Sequence, residues 1–412
     1  MDRRGNDVPP EQPERDPGSE PIGSGLTRKS GEDRKSRDGD TGKRAGSGEP
    51  PPPASTSAHR EIVAWWLLSR MIVFGVAAFV HVTEWPHRFG GGWLGVLTGW
   101  DGNWYRLIAE RGYFTLPGRQ SDIAFFPLLP ALLRPFELVG IGATIGGLLV
   151  VDFACVFGLI AFYHVGRAWL DERDARRAAV YLAISPYSFV FSILYPESLL
   201  LLATTVAVLA TLRHRWLLSG AALAAAALAR PQGALAAVVV AGLVGRSWRM
   251  MRREDRPLAI AALLAAPAAL AAYSAYLAYV VGNPFAWTRA EGAWGRSFSL
   301  TGPVRAFHAL VSSSPHTPWL ARDALFLGAY VVAVAVAARV VPAEWTLFAG
   351  LSVLSPVWTG SFASAARFGV VALPVYWGLA VIGRRPGLDR AYRVCSPVLL
   401  ILGTLLLALR NP

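Results

Sequence analysis

From residue 62 onward, the chain alternates apolar runs with short polar or basic segments. Runs of this kind are typical of transmembrane helices, each of which needs about 20 residues to cross a bilayer. Shorter runs are tolerated where neighbouring helices shield the backbone. The pattern predicts an all-α, polytopic transmembrane bundle with about eleven spans. The predicted segments are 62–82, 123–140, 143–168, 178–193, 198–212, 216–245, 257–281, 320–338, 343–357, 367–383 and 393–410.

The first 60 residues have almost no large apolar side chains and are dense in Gly, Pro, Ser and charge. Such a segment cannot bury enough surface to offset the entropy lost on ordering, so it predicts a disordered cytoplasmic tail. The first apolar run starts only at Ile62, so no cleavable signal peptide is expected and this run should remain as a helix. The expected organisation is therefore a tail, 1–60, and a membrane domain, 61–412.

Composition and charge agree with a membrane protein. The chain is 53% hydrophobic and 17% charged, whereas a soluble domain carries about a quarter charged residues. The first 60 residues contain eleven Lys/Arg and eleven Asp/Glu, so the whole net charge of +12 belongs to the membrane domain. Its arginines separate apolar runs and form no continuous basic stripe. We therefore expect them to orient the protein in an anionic membrane, with no nucleic-acid partner.

The basic loops 246–256 and 383–390 are predicted to be cytoplasmic, as is the N-terminus. Two longer loops, 83–122 and 282–319, then lie on the outer face of the cell membrane. This arrangement requires 216–245 to be one crossing that is interrupted at Arg230 and Pro231. If 216–245 forms two short helices instead, segments 143–212 are inverted and 123–140 becomes a re-entrant helix.

The first outer loop is the most informative part of the chain. Its residues Trp104, Leu107, Ile108 and Arg111 recur at helical spacing, as on an amphipathic helix that lies in the membrane interface. Asp101 precedes this face, so its carboxylate could cap the helix. A catalytic role for Asp101 is the alternative, and spacing alone does not separate the two.

Three blocks of this region resemble the signature of PIG-V-type mannosyltransferases, which belong to the GT-C superfamily of lipid-phosphate-sugar-dependent glycosyltransferases. The first combines Trp100-Asp101, Trp104-Tyr105 and Gly112-Tyr113 with the run 124–130, Ala-Phe-Phe-Pro-Leu-Leu-Pro. The second runs from Ser185 to Leu199, and the third from Ala229 to Gly233. The blocks occur in the family's order over residues 62–245. The chain departs from the family at Ser185, at Pro196 and at Pro231-Gln232.

The resemblance implies a GT-C-like membrane glycosyltransferase that transfers a sugar, mannose above all, from a polyprenyl-phosphate donor. It also implies an inverting mechanism with Asp101 as general base. An acceptor hydroxyl must lose its proton as it attacks the anomeric carbon, and an aspartate within hydrogen-bond reach can accept that proton. The departing lipid phosphate carries developing negative charge, which guanidinium groups can stabilise.

Further site residues are expected to bind the donor or the acceptor, and each also has a structural interpretation. Asp122 is either a second carboxylate of the site or a helix cap. Glu197 is suited either to the start of a helix or to substrate contact. Arg230 and Arg367 are expected to contact the donor phosphate. The structural alternative for Arg230 is an ion pair with Asp or Glu, and for Arg367 it is extension of the side chain to the membrane interface. The full set of expected binding residues is Tyr105, Asp122, Glu197, Arg230, Gln232 and Arg367.

The favoured topology places Glu197 on the inner side, away from Asp101, so either this topology or the grouping of these residues must be wrong. No His, Cys or carboxylate cluster has metal-ligand spacing, and neither a metal nor another cofactor is expected. The expected partners are the polyprenyl-phosphate sugar, membrane lipids and a glycan, glycolipid or protein acceptor.

Two other function classes share the predicted fold. A transporter or lipid flippase would have similar spans, but it predicts inverted repeats with paired broken helices. The sequence shows one broken segment, at Arg230-Pro231, and no obvious counterpart in the C-terminal half. A non-catalytic GT-C-like subunit would fit every feature except an intact Asp101.

Overall fold

The described residues of the computed structural model, 56–83, 92–114, 120–312 and 318–409, form helices and turns, with no strand among them. They confirm the prediction of an all-α, multi-pass membrane bundle. Five helices are long and apolar enough to cross a membrane. In chain order the seventeen α-helices of this part are α1 (Thr56–Val82), α2 (Gly92–Thr98), α3 (Asp101–Arg111), α4 (Leu128–Leu138), α5 (Ala143–Gly166), α6 (Glu172–Ala183), α7 (Glu197–Leu212), α8 (Trp216–Ala229), α9 (Ala236–Ser247), α10 (Asp255–Val281), α11 (Ala286–Gly292), α12 (Gly302–Val311), α13 (Pro318–Ala337), α14 (Ala343–Trp358), α15 (Ala365–Gly369), α16 (Pro374–Ile382) and α17 (Pro386–Leu409).

Short 3₁₀ turns cover Asp122–Ala124, Ser188–Phe191 and Pro231–Leu235. The five candidate spans are α1, α5, α10, α13 and α17. Helix α1 begins at Thr56, slightly before the predicted boundary at residue 60. The rest of the predicted tail, residues 1–55, lies outside the described residues.

The prediction that 216–245 forms one crossing is wrong, because the chain reverses direction at Pro231. Proline has no backbone N–H and restricts the residue before it, so α8 ends at Ala229 and Arg230 is extended (φ −158°, ψ 151°). A Cβ on Gly233 would lie 1.9 Å from the Ala226 carbonyl oxygen, so only glycine allows the returning chain to pack this closely on α8. Helices α8 and α9 therefore run in opposite directions.

This reversal corrects the favoured topology. The N-terminus of α7, the C-terminus of α8 and the N-terminus of α9 all lie at one end of the bundle, which places Glu197 beside Arg230. Segment 123–140 contains only the 11-residue helix α4, which is about 16 Å long and too short to cross a bilayer. The alternative with two short helices at 216–245 is the one that the structure shows.

The predicted segment 367–383 is also interrupted. It forms α15 and α16, and residues 370–373 separate the two helices. The C-terminal half therefore does contain a broken segment, which the hydropathy pattern did not predict.

Both basic loops, 246–256 and 383–390, lie at the end of the bundle opposite the Glu197–Arg230 pair. Trp169 follows α5, Trp345 begins α14 and Trp377 lies on α16; their ring centroids are 4.6–6.0 Å apart. At the same end Arg246 pairs with Glu344, and Arg384 bonds Asp174 at 2.7 Å. From Glu344, α14 rises about 21 Å to Trp358, whose carbonyl accepts a hydrogen bond from Ser299 at the other end.

Candidate active site

Four charged side chains from four separate chain segments meet at the end of the bundle that lies away from the basic loops. Arg367 donates from Nη1 to Asp101 Oδ2 and from Nε to Glu197 Oε1, the latter at 2.6 Å. Arg230 also donates to Glu197 Oε1. The Glu197 carboxylate is fully buried, and the side chains of Arg230 and Arg367 are 12% and 13% exposed. The structure thus brings together four of the residues that the sequence singled out.

Local backbone geometry presents Asp101 and Arg367 to each other. Trp100, directly before Asp101, and Ser364, three residues before Arg367, have positive φ (55° and 64°), and only three non-glycine residues in the described part do. Such conformations cost of order 1–3 kcal/mol and persist where surrounding contacts impose them. The indole of Trp100 is held by the Leu407 carbonyl of α17 at 3.2 Å. Asp101 itself is the first residue of α3 and makes no side-chain cap, so the capping interpretation is not supported.

Helix α3 ends at Arg111. Gly112 ends the helix with φ 80°, and its N–H donates to the Ile108 carbonyl. Arg106 pairs within the helix with Glu110, so the neighbouring arginine is not the ionic partner of Asp101. That partner is the remote Arg367.

A polar cavity of about 260 Å³ surrounds this cluster. Described residues of the segment that carries Asp101 and of the segment between α10 and α13 line it from two sides. Trp294 of the second loop contacts Trp104 at 6.1 Å and Phe125 at 5.8 Å between ring centroids. The residues that line the cavity include Trp100, Asp101, Tyr105, Phe125, Phe126, Tyr195, Arg230, Glu291, Trp294, Arg296, Trp319, Asp323, Ser364 and Arg367.

A second cavity, about 1290 Å³ and mostly apolar, adjoins the first. One wall is a face of α14, with Leu347, Gly350, Leu351 and Leu354, and the cavity reaches Ala343 near the basic end. We call this second cavity the apolar groove. The two cavities share four lining residues, which we call the neck: Arg230, Pro231, Glu291 and Arg296.

The neck places two guanidinium groups around one aromatic ring. The Cζ atoms of Arg230 and Arg296 lie 4.5 and 5.0 Å from the centre of the Phe368 ring, within the range of cation–π attraction. Arg230 is neutralised by Glu197, whereas the acid nearest to Arg296 is Glu291, at 4.0 Å. Burial raises the pKa of Glu291 and so favours its neutral form. The neck therefore presents two guanidinium groups, of a kind suited to bind an anion.

Burial and neighbouring charges shift the pKa values of Asp101 and Tyr105, which both line the polar cavity. Burial opposes ionisation of Asp101, but the nearby charge of Arg367, with smaller contributions from Arg230 and Arg296, lowers its pKa below the ordinary value. Asp101 is therefore a carboxylate at neutral pH. Burial raises the pKa of Tyr105 well above its usual range, so this phenol stays protonated and can donate a hydrogen bond.

No protein family matches the chain, and neither does a curated protein. Three of the solved structures that it matches are the apo oligosaccharyltransferase of Archaeoglobus fulgidus (13% identity, 85% of this chain and 56% of that chain, TM-score 0.47), ArnT from Cupriavidus metallidurans bound to undecaprenyl phosphate (17%, 84% and 70%, 0.48), and the Archaeoglobus fulgidus oligosaccharyltransferase AglB with an inhibitory peptide and a dolichol-phosphate (16%, 84% and 55%, 0.45). The chain spans a little over half the length of the two oligosaccharyltransferases. At these identities and TM-scores the matches assign no activity to this chain.

Two of the expected binding residues lie away from the acid–arginine cluster. Asp122 does not line the polar cavity; its buried carboxylate accepts the Phe114 N–H at 2.8 Å and so closes the loop between α3 and α4. Burial raises the pKa of Asp122 to about 6, against the effect of backbone hydrogen bonds. Gln232 faces the apolar groove, and its amide donates to the carbonyls of Ser352 and Phe368. Both residues have structural partners.

Sequence reasoning missed two charged residues of the site. Arg296 lies in the loop after α11, where no periodicity marks it. Asp323 lies on the apolar helix α13, is 2% exposed and lines the polar cavity. An acid inside an apolar segment is itself a functional signal, and that signal could have identified Asp323.

Proposed function

We propose that the protein is a membrane glycosyltransferase of the GT-C type, which moves a sugar from a polyprenyl-phosphate donor to an acceptor hydroxyl. The observation that supports this most directly is the junction of three compartments: an apolar groove, a cationic neck and a polar cavity that contains a carboxylate. A lipid-phosphate sugar has the same three chemical parts in the same order. The resemblance of the Asp101 and Glu197 blocks to PIG-V-type enzymes favours mannose as the sugar.

The proposed reaction is a single displacement with Asp101 as general base. The acceptor oxygen attacks the anomeric carbon while the carbon–oxygen bond to the phosphate breaks and its electrons leave with the lipid phosphate. The proton of the acceptor hydroxyl passes to Asp101; Oδ2 is held by Arg367, so Oδ1 is the accepting atom. Attack opposite the leaving group inverts the anomeric centre. Positive charge at the neck stabilises the departing phosphate.

The polar cavity can also orient the sugar. Trp100, Phe125 and Trp294 provide aromatic faces and edges against which a pyranose ring packs. Tyr105 adds a phenol that stays protonated near neutral pH, and Glu291 adds a second hydrogen-bonding group. The acceptor is proposed to be a glycan, glycolipid or protein hydroxyl that enters beneath the loop carrying Trp294.

The arginine distribution supports an extracytoplasmic site. Both basic loops, 246–256 and 383–390, lie at the end of the bundle opposite Asp101. Short basic loops are retained on the cytoplasmic side of membrane proteins. We therefore place the basic end in the cytoplasm of the cell and the polar cavity on the outer side of its membrane.

The direct test uses membranes that contain the protein and a radiolabelled polyprenyl-phosphate mannose. Transfer of label to an endogenous acceptor is expected, with a parallel polyprenyl-phosphate glucose reaction to test the sugar. Absence of transfer from every polyprenyl-phosphate sugar would favour a transporter, a flippase or a non-catalytic subunit. The glycan that is missing from a deletion strain then identifies the acceptor.

The neck gives a prediction for donor binding. Arg230→Ala and Arg296→Ala should each raise the donor KM about tenfold, since a hydrogen bond to a charged group contributes about 1.5–3 kcal/mol. Expression should be retained in Arg230→Ala because Glu197 keeps its bond to Arg367. The control is Arg289→Ala, on the same short helix as Glu291 but outside both cavities. An unchanged donor KM in either neck variant removes that arginine from the phosphate site.

The apolar groove gives a second prediction. A Cβ at Gly350 meets no atom within 4 Å, so Gly350→Phe should fill groove volume without a clash in the backbone. Displacing two or three methylenes of a lipid tail costs about 2 kcal/mol, which raises the donor KM by about tenfold or more. Gly328→Phe is the matched control, because its Cβ also points into open space but outside the groove. Equal kinetics in the two variants would exclude the groove as the lipid site.

A further inference from the structure

Asp323 is a buried carboxylate for which the proposed reaction has no direct use. It lies near the start of α13 and is 2% exposed. A buried carboxylate is costly unless it is well bonded, and Asp323 has three donors. Oδ2 accepts the Ser364 N–H at 2.7 Å, and Oδ1 accepts from the Tyr187 hydroxyl at 3.2 Å and from Arg322 at 3.4 Å.

The Ser364 contact leads directly to the catalytic cluster. Ser364 has φ 64° and ψ 12°, a left-handed conformation that a residue with a side chain adopts reluctantly, and the helix that carries Arg367 starts at the next residue. Its hydroxyl also accepts a hydrogen bond from Arg296 at 3.1 Å. The direction in which α15 leaves this turn therefore depends on how the Ser364 backbone is held.

The same face of α13 holds α15 at a second point. Tyr330, seven residues and about two helical turns after Asp323, donates to the Ala366 carbonyl at 3.0 Å. A Cβ on Gly369 would lie 2.2 Å from the Tyr330 ring, so this glycine permits the close contact. Asp323 and Tyr330 thus fix the start and the middle of a helix that is only five residues long.

Three contacts constrain the position of the Arg367 guanidinium. Its guanidinium reaches Asp101 and Glu197 with two different nitrogen atoms, and its Cζ lies 4.0 Å from the centre of the Tyr195 ring. A displacement of about 1 Å in such a group can reduce a rate by about 10²-fold. Among the described residues no hydrogen bond or ion pair joins Asp323 to Arg367 or to Asp101, and the Ser364 contact is what links Asp323 to the turn before Arg367.

We propose that Asp323 is a positioning residue, which holds the Ser364 turn and thereby sets Arg367 against Asp101 and Glu197. This proposal rests on the proposed transfer reaction. It assigns to α13 the role of a fixed support for the catalytic ion pair. It also distinguishes Asp323 from a second general base, although its carboxylate lines the polar cavity.

Asp323→Asn and Asp323→Ala distinguish a positioning role for Asp323 from a role as a second general base. Asp323→Asn keeps a side-chain oxygen that can accept the Ser364 N–H, so it should retain at least about half of the wild-type kcat. Asp323→Ala removes that acceptor and should lower kcat about 10- to 100-fold, with the donor KM changed less than about threefold because Arg230 and Arg296 remain. Tyr187→Phe is the matched control: it removes another bond to Asp323, leaves Ser364 untouched and should retain wild-type kinetics.

Wild-type transfer from the labelled donor tests the proposed function, and the comparison among variants tests Asp323. A loss of kcat as large in Asp323→Asn as in Asp323→Ala would overturn the positioning role, and so would full kcat in Asp323→Ala. If the alanine variant does not accumulate in the membrane, Ser364→Val tests the turn from its other side. A β-branched residue opposes positive φ, so kcat should fall about tenfold or more, whereas Ser364→Gly should stay active. Full kcat in Ser364→Val would equally overturn the proposal.

Discussion

Asp101→Asn is expected to abolish sugar transfer while the protein still folds and reaches the membrane. An amide cannot usefully accept the acceptor's proton, and loss of general-base catalysis typically lowers a rate about 10²–10⁴-fold. Asn keeps the shape of the side chain and one oxygen, which can still accept from Arg367. The donor KM should therefore change much less than kcat.

Two variants, Asp101→Glu and Asp122→Asn, serve as controls for Asp101→Asn. Asp101→Glu retains a carboxylate but shifts it by one methylene, so it should recover a fraction of the activity. Asp122→Asn conserves an acceptor for the Phe114 N–H outside the polar cavity and should transfer sugar at near the wild-type rate. Transfer by purified Asp101→Asn at the wild-type rate would show that Asp101 is not the base.

The sequence predicted the members of the acid–arginine cluster but not their arrangement. Asp101, Glu197 and Arg230 were found because each lies in a block that resembles one family. Arg367 was found because a charge at the start of an apolar segment requires a partner. Which partner each charge has depends on helix packing, which no local pattern encodes. The pairing of Asp101 with Arg367 therefore emerged only from the structure.

The topology error has a specific physical cause. Hydropathy reads 216–245 as one apolar run of sufficient length, because Arg230 is the only charge within it. The reversal depends on Pro231, which stops α8, and on Gly233, which lets the chain fold back onto Ala226. Both residues are visible in the sequence, but proline also occurs within continuous membrane helices. The occurrence of Pro231 and Gly233 within three residues is what indicates a reversal of the chain here.

Arg367→Gln should combine a loss of rate with a changed pH profile. In the wild type the pKa of Asp101 is lowered by Arg367 against the effect of burial. Without that charge burial has more weight, so the pKa of Asp101 should rise. A general base works only when deprotonated, so activity that is flat from neutral to mildly acidic pH in the wild type should fall as the pH drops in the variant.

The other groups that act on Asp101 do not replace Arg367. Arg230 and Arg296 also lower the pKa of Asp101, but their effects are smaller, and Arg230 remains paired with Glu197. We expect kcat at neutral pH to fall about 10²-fold, because Arg367 holds the Asp101 carboxylate and a displacement of about 1 Å in a catalytic group can reduce a rate by about that factor. Arg367→Lys should be intermediate, because an ammonium keeps the charge but cannot bridge two carboxylates with the same geometry.

The measurement is kcat/KM against pH, which reports ionisations of the free enzyme. Arg106→Gln is the matched control: it removes an arginine from the helix that carries Asp101, but one whose partner is Glu110. Its profile should coincide with that of the wild type. If Arg367→Gln gives the wild-type profile as well, Arg367 does not control the ionisation of the base. Removal of a partner from a buried ion pair can cost about 3–5 kcal/mol, so the amount of folded protein in the membrane must be matched before the rates are compared.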